Sequence, residues 1–310
     1  MTDTLEALRH KIDGARDLAA VVRTMKALAA ANIGQYENAV HALQDYYRTV
    51  ELGLIVCLRH LPATRAQAHL QIPMQTPNGA QGAIGVVVFG SDQGLVGQFN
   101  DVLAGYVVRE FEPADQPSKI WTIGERIQSR LSDQGLTVEQ SYPVPNSVAG
   151  ITPLVTQLLA DCEAQRQRGE LAELHVVHNR PTGAGGYAVH RQRLLPLDSA
   201  WQAQLTALSW PTKSLPEVAP SGPAPLTALL YEYVFVSLFK ACAESLASEN
   251  ASRLTAMQRA ERNIRDMLAQ LTQTFHQARQ TSIDEELFDV IAGYEVLDKR
   301  NGQIRGGDAP

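Results

Sequence analysis

Apolar residues recur at intervals of three and four along the C-terminal third of the chain, from residue 226 to residue 297. This is the spacing of one face of an α-helix, and neither Gly nor Pro interrupts it between residues 226 and 292. The pattern predicts one helix of about 70 residues, which is about 105 Å long. Because a folded chain of this size is only ~50 Å across, we expect the helix to project and to need a partner for its apolar face.

The apolar face of this helix is interrupted by a polar patch made of Glu249, Asn250 and Arg253. Its positions in chain order are Leu229, Tyr233, Val236, Phe239, Ala243, Leu246, Leu254, Met257, Ile264, Leu268, Leu271, Phe275, Ala278, Ile283, Leu287, Val290, Tyr294 and Leu297. A periodic pattern of this length without caps is typical of a coiled coil.

Residues 1–60 carry a second helical pattern, which repeats every seven residues. One seam consists of Leu5, Ile12, Ala19, Lys26, Ile33, Val40, Tyr47 and Leu54, and the other of Leu8, Ala15, Val22, Ala29, Tyr36, Leu43, Val50 and Cys57. Lys26 is the only charged residue among them. A heptad repeat held this long predicts a left-handed supercoil. The alternative, one amphipathic helix on a globule, is disfavoured because eight heptads would overrun the globule.

The two long helices are therefore expected to pair with each other, with the rest of the chain inserted between them. They run antiparallel if the insertion lies at one end of the pair, as short connections favour. This gives an N-terminal coiled-coil helix over 1–60, a C-terminal coiled-coil helix over 226–300 and a tail over 301–310.

Residues 83–208 have a different pattern, in which short apolar runs alternate with helical stretches. Strands are predicted over 84–89, 119–123, 137–142, 174–178 and 187–195, and helices over 100–112, 125–132 and 151–168. This alternation predicts a small three-layer α/β domain, Rossmann-like, with a mostly parallel sheet. A loop over 61–82 and a Pro-rich linker over 209–225 connect it to the helices. The expected fold class is thus α+α/β, a long antiparallel coiled coil plus this domain.

Composition narrows the class of protein. The chain has 310 residues and a formal net charge of −6, which argues against nucleic acid as a partner because a nucleic-acid-binding protein normally presents a basic face. Three widely spaced cysteines fit a reducing compartment. The acidic residues near the N-terminus argue against a signal peptide. The most apolar window, residues 226–239, contains Glu232 and is too short and too interrupted to span a bilayer.

The loop over residues 90–100 is the most conspicuous candidate for ligand binding. It is glycine-rich and joins a strand to a helix, as dinucleotide-binding loops do. Its glycines, Gly90, Gly94 and Gly97, do not have the spacing of that fingerprint or of a P-loop, and Asp92 would repel a phosphate. The alternative is a tight turn whose glycines permit unusual backbone angles or pack against a neighbour.

No catalytic or metal-binding constellation is evident in the sequence. His175 and His178 lie three residues apart on a predicted strand, so their side chains point to opposite faces. No cluster of Cys, His or carboxylate residues has metal-ligand spacing. We expect no cofactor, no metal and no enzymatic activity in this chain, and we interpret it as a mechanical or interaction component.

Two polar features of the long helices are candidates for partner contacts. Lys26 interrupts an apolar seam, and its ammonium group either reaches solvent or contacts a partner. Arg279 and Gln280, with Glu285 and Glu286 just beyond them, form a polar island on the last third of the C-terminal helix. This island is either a solvated face or a docking patch, for which the bidentate guanidinium of Arg is suited.

Three stretches of the chain carry a resemblance to a known family. They are Thr24-Met25-Lys26, the loop Ser91-Asp92-Gln93-Gly94-Leu95-Val96-Gly97-Gln98-Phe99-Asn100, and the C-terminal series Ser252-Arg253-Leu254-Thr255-Ala256-Met257, Arg262-Asn263, Ala278-Arg279-Gln280 and Ile283. In order and spacing they resemble the gamma subunit of rotary F-type ATP synthases, over essentially the whole chain. The C-terminal series is the most specific of the three.

The resemblance implies a rotating central shaft inside a hexamer of alpha and beta subunits, with ATP chemistry on the beta subunits. It places the α/β domain against the epsilon subunit and the membrane ring of c subunits, so that the membrane is contacted only through partners. It implies a peripheral position on the cytoplasmic face of the plasma membrane. Carried over by position, Arg279 and Gln280 touch a beta-subunit loop, Glu286 is a coupling glutamate, and Met25 and Lys26 lie near the beta-subunit lever.

Several positions depart from the family pattern and indicate a divergent branch. Gln93, Val96 and Gln98 replace the family's Arg, Cys and Gly, and Asp284 and Tyr294 also depart from it. Two rival functions remain open at this point: a coiled-coil scaffold without a motor role, and a nucleotide-dependent enzyme that uses the loop over residues 90–100.

Overall fold

The structure is a computed structural model. It describes residues 5–60, 82–111, 117–183, 186–197 and 224–305, together with residues 203, 207, 210, 213–214 and 216–218. Most of the predicted loop over 61–82 and of the predicted linker over 209–225 lies outside the described residues.

Two long helices occupy the ends of the chain, as the periodicity predicted. Helix α1 runs over Leu5–His60 and has 56 residues. The C-terminal helix, numbered α5 in chain order, runs over Ala224–Arg305 and has 82 residues. It begins two residues earlier than expected. The helix can include Pro225 because a proline in the first turn lacks only an N–H that would have no partner within the helix. It continues five residues into the stretch expected to be a tail.

The chain forms two compact units, and both long helices contribute to each. One unit contains residues 1–26 and 257–310, and the other contains residues 27–256.

Within the unit of residues 27–256, helices α1 and α5 pair in antiparallel directions. Asn32 Nδ2 lies 3.5 Å from Asn250 Oδ1, and the Tyr46 hydroxyl donates to Glu232 Oε2 at 2.8 Å. Residue numbers therefore rise along one helix while those of the partners fall along the other. This confirms the antiparallel pairing expected from the sequence.

Within the other unit, Lys26 fixes the register of the same pairing. Its Nζ atom lies 2.6 Å from Glu261 Oε2. Lys26 and Leu5 are separated by 21 residues, and a point 21 residues beyond Glu261 is Ser282. The described part of α1 thus covers α5 as far as Ser282.

Burial along α1 follows the predicted heptad repeat. None of the sixteen seam positions is exposed, and Leu8, Ile12, Ala15, Ala29, Tyr36, Val50, Leu54 and Cys57 are buried. The period of seven was therefore a reliable indicator of which side of α1 meets a neighbour.

The last part of the predicted apolar face of α5 does not follow the expectation. Ile283, Leu287, Val290 and Tyr294 are exposed, whereas the earlier positions of the face are buried or half-buried. The physical reason is the register, because no described residue of α1 lies opposite α5 beyond Ser282.

Between the long helices the chain forms a five-stranded sheet with the strand order β3-β2-β1-β4-β5. The strands are β1 Ala83–Phe89, β2 Ser118–Ile123, β3 Val138–Tyr142, β4 Leu171–Gly183 and β5 Gly186–Leu195. The first four pair in parallel, and β5 pairs antiparallel to β4. Strand β4 is longer than predicted because its C-terminal half forms a hairpin with β5.

Helices cover both faces of the sheet and give the predicted three-layer α/β arrangement. Helices α2 (Phe99–Phe111) and α3 (Glu125–Asp133) pack on one face with Val86 and Val88 of β1. On the other face, α4 (Val148–Gln167) and residues of α1 and α5 share a core with the other side chains of β1. The alternation along β1 is the period of two expected of a strand with two buried faces.

Helix α5 also contains an apolar stretch longer than the one recognised in the sequence. By length and composition alone it passes as a candidate membrane span, with a window of mean hydropathy 1.4. Length and composition alone therefore do not exclude a bilayer span for this stretch. However, 56% of the window is buried inside the structure, as expected when the helix packs in the core of its own chain.

A pair of leucines on α1 tests this packing. Leu54 is completely buried in the core shared with α5, whereas Leu28 on the same helix is 59% exposed. We expect Leu54→Ala to lower the free energy of unfolding by about 2–5 kcal/mol, because it removes buried methyl groups and leaves a cavity. The matched Leu28→Ala variant should change it by less than about 0.5 kcal/mol. Urea titrations followed by circular dichroism measure both, and equal effects would contradict the packing.

Candidate functional site

The loop over residues 90–100 lies at the carboxyl end of β1, where doubly wound sheets bind ligands. Strand β1 has β2 on one side and β4 on the other, so the order of the strands reverses beside it. In open α/β sheets the ligand crevice forms at this switch point, outside the carboxyl ends of the strands. The position of the loop is therefore that of a binding site, and its contacts decide whether the crevice is available.

The two ends of the loop are joined by Ser91 and Asn100, both of which are buried. The Ser91 backbone N–H donates to Asn100 Oδ1 at 3.1 Å, and Asn100 Nδ2 donates to Ser91 Oγ at 2.8 Å. Ser91 Oγ also donates to the carbonyl of Gln93 at 3.0 Å. These bonds close the loop on itself and occupy a backbone N–H that a phosphate-binding loop would direct at its ligand.

Asp92 binds backbone groups of the protein itself. Its Oδ1 accepts from the N–H of Glu125 at 2.9 Å, and its Oδ2 accepts from the N–H of Val144 at 2.8 Å. Glu125 is the first residue of α3, so the carboxylate satisfies a free N–H at a helix start and lies at the positive end of its dipole. Asp92 thus holds the loop, α3 and the segment after β3 together.

Gly90 and Gly124 are required by close approach of the backbone. A Cβ atom added at Gly90 would lie 2.3 Å from Ile127 Cβ, and one added at Gly124 would lie 2.7 Å from the carbonyl oxygen of Ser91. Gly124 also has a φ of 119°, which favours glycine. Of the glycines considered for phosphate binding, Gly90 instead lets the loop pack closely on α3.

Helix α5 fills the crevice with polar side chains. Ser245 Oγ donates to the carbonyl of Phe89 at 3.1 Å, and Ser252 Oγ donates to the carbonyl of Val96 at 2.6 Å. Phe89 is the last residue of β1, and Val96 lies in the loop. Both serines are buried, so the carbonyl groups that would face a ligand are bound to α5.

A buried His–Glu pair joins β4 to the same part of α5. His178 Nε2 lies 2.8 Å from Glu244 Oε2, and the side chains are 2% and 7% exposed. Burial lowers the pKa of His178, with the hydrogen bond to Glu244 opposing the shift. Among the described residues His178 Nδ1 has no hydrogen-bond partner. The pair is therefore a neutral imidazole donating through Nε2 to a carboxylate.

The charge of Glu244 is supported by neighbouring cations. Burial by itself raises the pKa of this carboxyl, but the His178 hydrogen bond and the positive charges of Arg180 and Lys240 outweigh it and lower the pKa. Arg180 Nε lies 3.5 Å from Glu244 Oε1. A carboxylate that remains ionised in a buried position needs such partners.

The polar patch predicted on α5 is an ion pair in the interior. Glu249 Oε1 lies 2.6 Å from an Arg253 guanidinium nitrogen, and both side chains are at most 13% exposed. Burial raises the pKa of Glu249, while the Arg253 charge opposes the shift. Glu249 and Arg253 are thus paired with each other within a buried stretch of α5.

His175 and His178 point to opposite faces of the sheet, as predicted. His175 belongs to the face of α2, where Arg191 Nε donates to its Nδ1 at 3.3 Å and Glu173 Oε2 lies 2.7 Å from its Nε2. Each histidine has its own carboxylate, so the two do not share a ligand. In the part of the chain that the structure describes, no group of three or more His, Cys, Asp or Glu residues could hold a metal ion.

The residues predicted for partner binding lie in the unit of residues 1–26 and 257–310. Met25 and Lys26 are half-buried on α1, and the Lys26 ammonium pairs with Glu261 across the helices. The Lys26 hydrogen bond lowers the pKa of Glu261. Arg279, Gln280 and Glu286 are exposed on α5. The sequence did not identify Glu261 as the partner of Lys26, because 235 positions separate them.

Sequence analysis also missed the serines of α5 and Glu244. A signal was present, since Ser245, Ser248 and Ser252 recur at spacings of three and four on one face of the helix. Small polar residues at a buried heptad spacing indicate hydrogen bonds to a neighbouring element, but the pattern does not say which element.

The chain therefore combines an α/β sheet with an antiparallel pair of terminal helices, and this combination defines its structural class. The family model described as ATP synthase matches residues 4–297. The chain belongs to the ATP synthase family.

Relatives and solved structures agree with this assignment. An ATP synthase gamma chain from Anaeromyxobacter sp. strain K is 28% identical, over 95% of this chain and 99% of the relative. That of Rhodospirillum rubrum is 26% identical, again over 95% and 99%. Among solved structures, the fold is similar to a chain of the Euglena gracilis mitochondrial ATP synthase OSCP/F1/c-ring assembly, with a TM-score of 0.65, 17% identity and 96% coverage of both chains.

A second chain, from the rotor of the Euglena gracilis mitochondrial ATP synthase, has a TM-score of 0.59 at 17% identity and covers 90% of this chain and 99% of its own length. At these identities the solved structures support the fold, and the family model carries the assignment.

Two glycine variants test the loop geometry. We expect Gly90→Ala to lower the free energy of unfolding by at least about 1–3 kcal/mol, because the methyl group collides with the buried Ile127. Gly105→Ala is the matched control, since nothing lies within 4 Å of the added Cβ in the middle of α2. It should stabilise the chain by up to about 1 kcal/mol. Thermal and urea unfolding measure both, and a neutral Gly90→Ala would refute the close approach.

Proposed function

We propose that this chain is the central rotor shaft of an F-type ATP synthase or ATPase, which couples ion flow through a membrane ring to ATP synthesis or hydrolysis. The observation that carries the proposal is the family match over residues 4–297, together with the antiparallel pairing of α1 with α5. Two supercoiled helices resist twisting better than one, which is the mechanical requirement for a shaft.

In this function the chain performs no chemistry of its own. ATP is made or hydrolysed on the beta subunits, and the asymmetric surface of the shaft imposes different states on the three catalytic sites. The proposed partners are the alpha and beta subunits around the helices, with the epsilon subunit and the c-subunit ring against the α/β part. The chain is then peripheral to the cytoplasmic face of the plasma membrane, which it contacts only through these partners.

The exposed end of α5 supports a surrounding partner. Six apolar side chains project from α5 beyond the part that faces α1, and each is between 46% and 71% exposed: Ile283, Leu287, Phe288, Val290, Ile291 and Tyr294. An apolar surface of this kind on a helix is typical of a protein–protein contact. Non-directional apolar contacts also let the end of a shaft turn in its bearing.

A few polar contacts between the shaft and the surrounding subunits then favour particular rotation angles of the shaft. We assign these to Arg279 and Gln280 against a beta-subunit loop, to Glu286 as a coupling carboxylate, and to Met25 and Lys26 near the beta-subunit lever. The exposure of Arg279, Gln280 and Glu286 supports this assignment. A hydrogen bond to a charged group contributes about 1.5–3 kcal/mol, which is enough to favour one angle without stopping rotation.

The rival functions are less well supported. A nucleotide-dependent enzyme would need the crevice at the end of β1, where Ser245 and Ser252 already bind the carbonyl groups. A scaffold without a motor role would use the same helices but would not require association with a hexameric ATPase.

Co-purification separates the rotor from the scaffold. We expect a tagged full-length chain, expressed with the alpha and beta subunits of its own organism, to elute with both in one complex that hydrolyses ATP. Calorimetry on the isolated chain should detect no ATP binding. A chain that elutes alone, with the alpha and beta subunits forming their own complex, would refute the rotor function.

The docking role of Arg279 is tested in that complex. We expect Arg279→Ala to lower rotor-coupled ATP turnover by roughly 10-fold or more, the equivalent of one charged hydrogen bond of about 1.5–3 kcal/mol. The chain itself should remain folded, because Arg279 is exposed. Arg109→Ala, which removes a 69% exposed guanidinium from α2, is the control and should leave turnover unchanged. Equal turnover in both variants would exclude the docking role.

A further inference from the structure

We propose that the loop over residues 90–100 and strand β4 form a torque joint, a set of buried polar contacts that fastens the α/β sheet to the rotating helix α5. The inference rests on the proposed rotor function and assigns a role to the glycine-rich loop. In place of a ligand, the crevice at the switch point of the sheet holds a stretch of α5 between Glu244 and Ser252.

The joint has three anchors that run from the sheet to α5. Ser245 binds the carbonyl at the end of β1, Ser252 binds the carbonyl of Val96 in the loop, and Glu244 binds His178 on β4. Glu244 and Ser245 lie together, and Ser252 follows two helical turns later. The anchors are therefore spread along about 12 Å of the helix axis.

Anchors spread along the helix in this way resist both rotation of α5 about its axis and sliding of α5 along the sheet. A hydrogen bond has a preferred distance and angle, whereas apolar packing is non-directional. The carbonyl groups of Phe89 and Val96 also lose their partners if α5 moves, and an unpaired buried carbonyl is costly. The sheet and this part of α5 are thus expected to turn as one body.

Further hydrogen bonds hold the loop over residues 90–100 to the α/β elements around it. Ser91 and Asn100 close it, and Asp92 binds the backbone of Glu125 and of Val144. Asn179 Nδ2 donates to the carbonyl of Phe99 at 3.0 Å, which ties the start of α2 to β4. Force applied to α5 through Ser252 therefore reaches α2, α3 and β4 through hydrogen bonds.

A rotation experiment on the complex with the alpha and beta subunits tests the joint. A bead is attached to α3 through Ser129→Cys, since Ser129 is exposed and all three native cysteines are buried. The hexamer is fixed to glass, and the angular fluctuation of the bead is recorded while the motor pauses. The measured quantity is the stiffness between the sheet and the part of the shaft held by the hexamer.

We expect the double variant Ser245→Ala/Ser252→Ala to increase the angular variance of the bead roughly twofold, because two of the three directional anchors are lost. Co-purification and ATP hydrolysis should stay at the wild-type level, since the substituted residues lie outside the unit that contains Arg279. Ser248→Ala is the matched control. Ser248 is buried on the same helix, but its hydroxyl has no hydrogen-bond partner among the described residues, so the variance should not change.

A conservative variant separates the joint from simple stability. Ser252→Thr retains a hydroxyl donor and should keep the wild-type variance, whereas Ser252→Ala should raise it even at temperatures where both variants remain folded. If the double variant does not fold, the comparison of Ser252→Ala with Ser252→Thr provides the test.

Unchanged variance in Ser245→Ala/Ser252→Ala within an intact, rotating complex would overturn the joint and leave the rotor function standing. Failure of the wild-type chain to join the complex would instead refute the rotor function. In that case hydrogen exchange of residues 90–100 in the isolated chain still tests the anchors, and exchange no faster in the double variant would exclude them.

Discussion

The antiparallel pairing of α1 with α5 is the constraint on which the rest of the structure depends. It joins the two ends of the chain, so everything between them is an insertion into one helical pair. The apolar seam of α1 provides most of the contact, and polar contacts such as Lys26 with Glu261 and Tyr46 with Glu232 set the register. A charge within the seam favours one register because only that register gives Lys26 its partner.

The sheet illustrates how a common fold can lose its usual site. A doubly wound sheet offers a crevice at its switch point, and a glycine-rich turn stands there in this chain. The crevice is closed because α5 supplies Ser245 and Ser252 to the carbonyl groups and Glu244 to His178. The crevice is therefore not available to a ligand. The functional surfaces of this protein lie on the helices, and the crevice serves as a mechanical connection between the sheet and α5.

The sequence predicted the repeating features of the structure and missed those that depend on a single distant partner. The heptads of α1 and the strand positions were confirmed because periodicity is imposed by local geometry. The exposure of Leu287 and Val290 was not predicted, since it depends on the register between α1 and α5. The pairing of Lys26 with Glu261 and the bond from Ser252 to Val96 join residues far apart in the chain, and a single sequence contains no direct signal of such contacts.

Cross-linking between engineered cysteines tests the pairing most directly. The native cysteines are buried, so a bis-maleimide of about 10 Å reach will react with introduced thiols. Cysteines at Tyr46 and Glu232, which are in contact, should cross-link efficiently within one chain. Cysteines at Ala31 and Glu232 should not, because Ala31 lies about 22 Å from Tyr46 along α1. Efficient cross-linking of the second pair, or failure of the first, would contradict the antiparallel pairing.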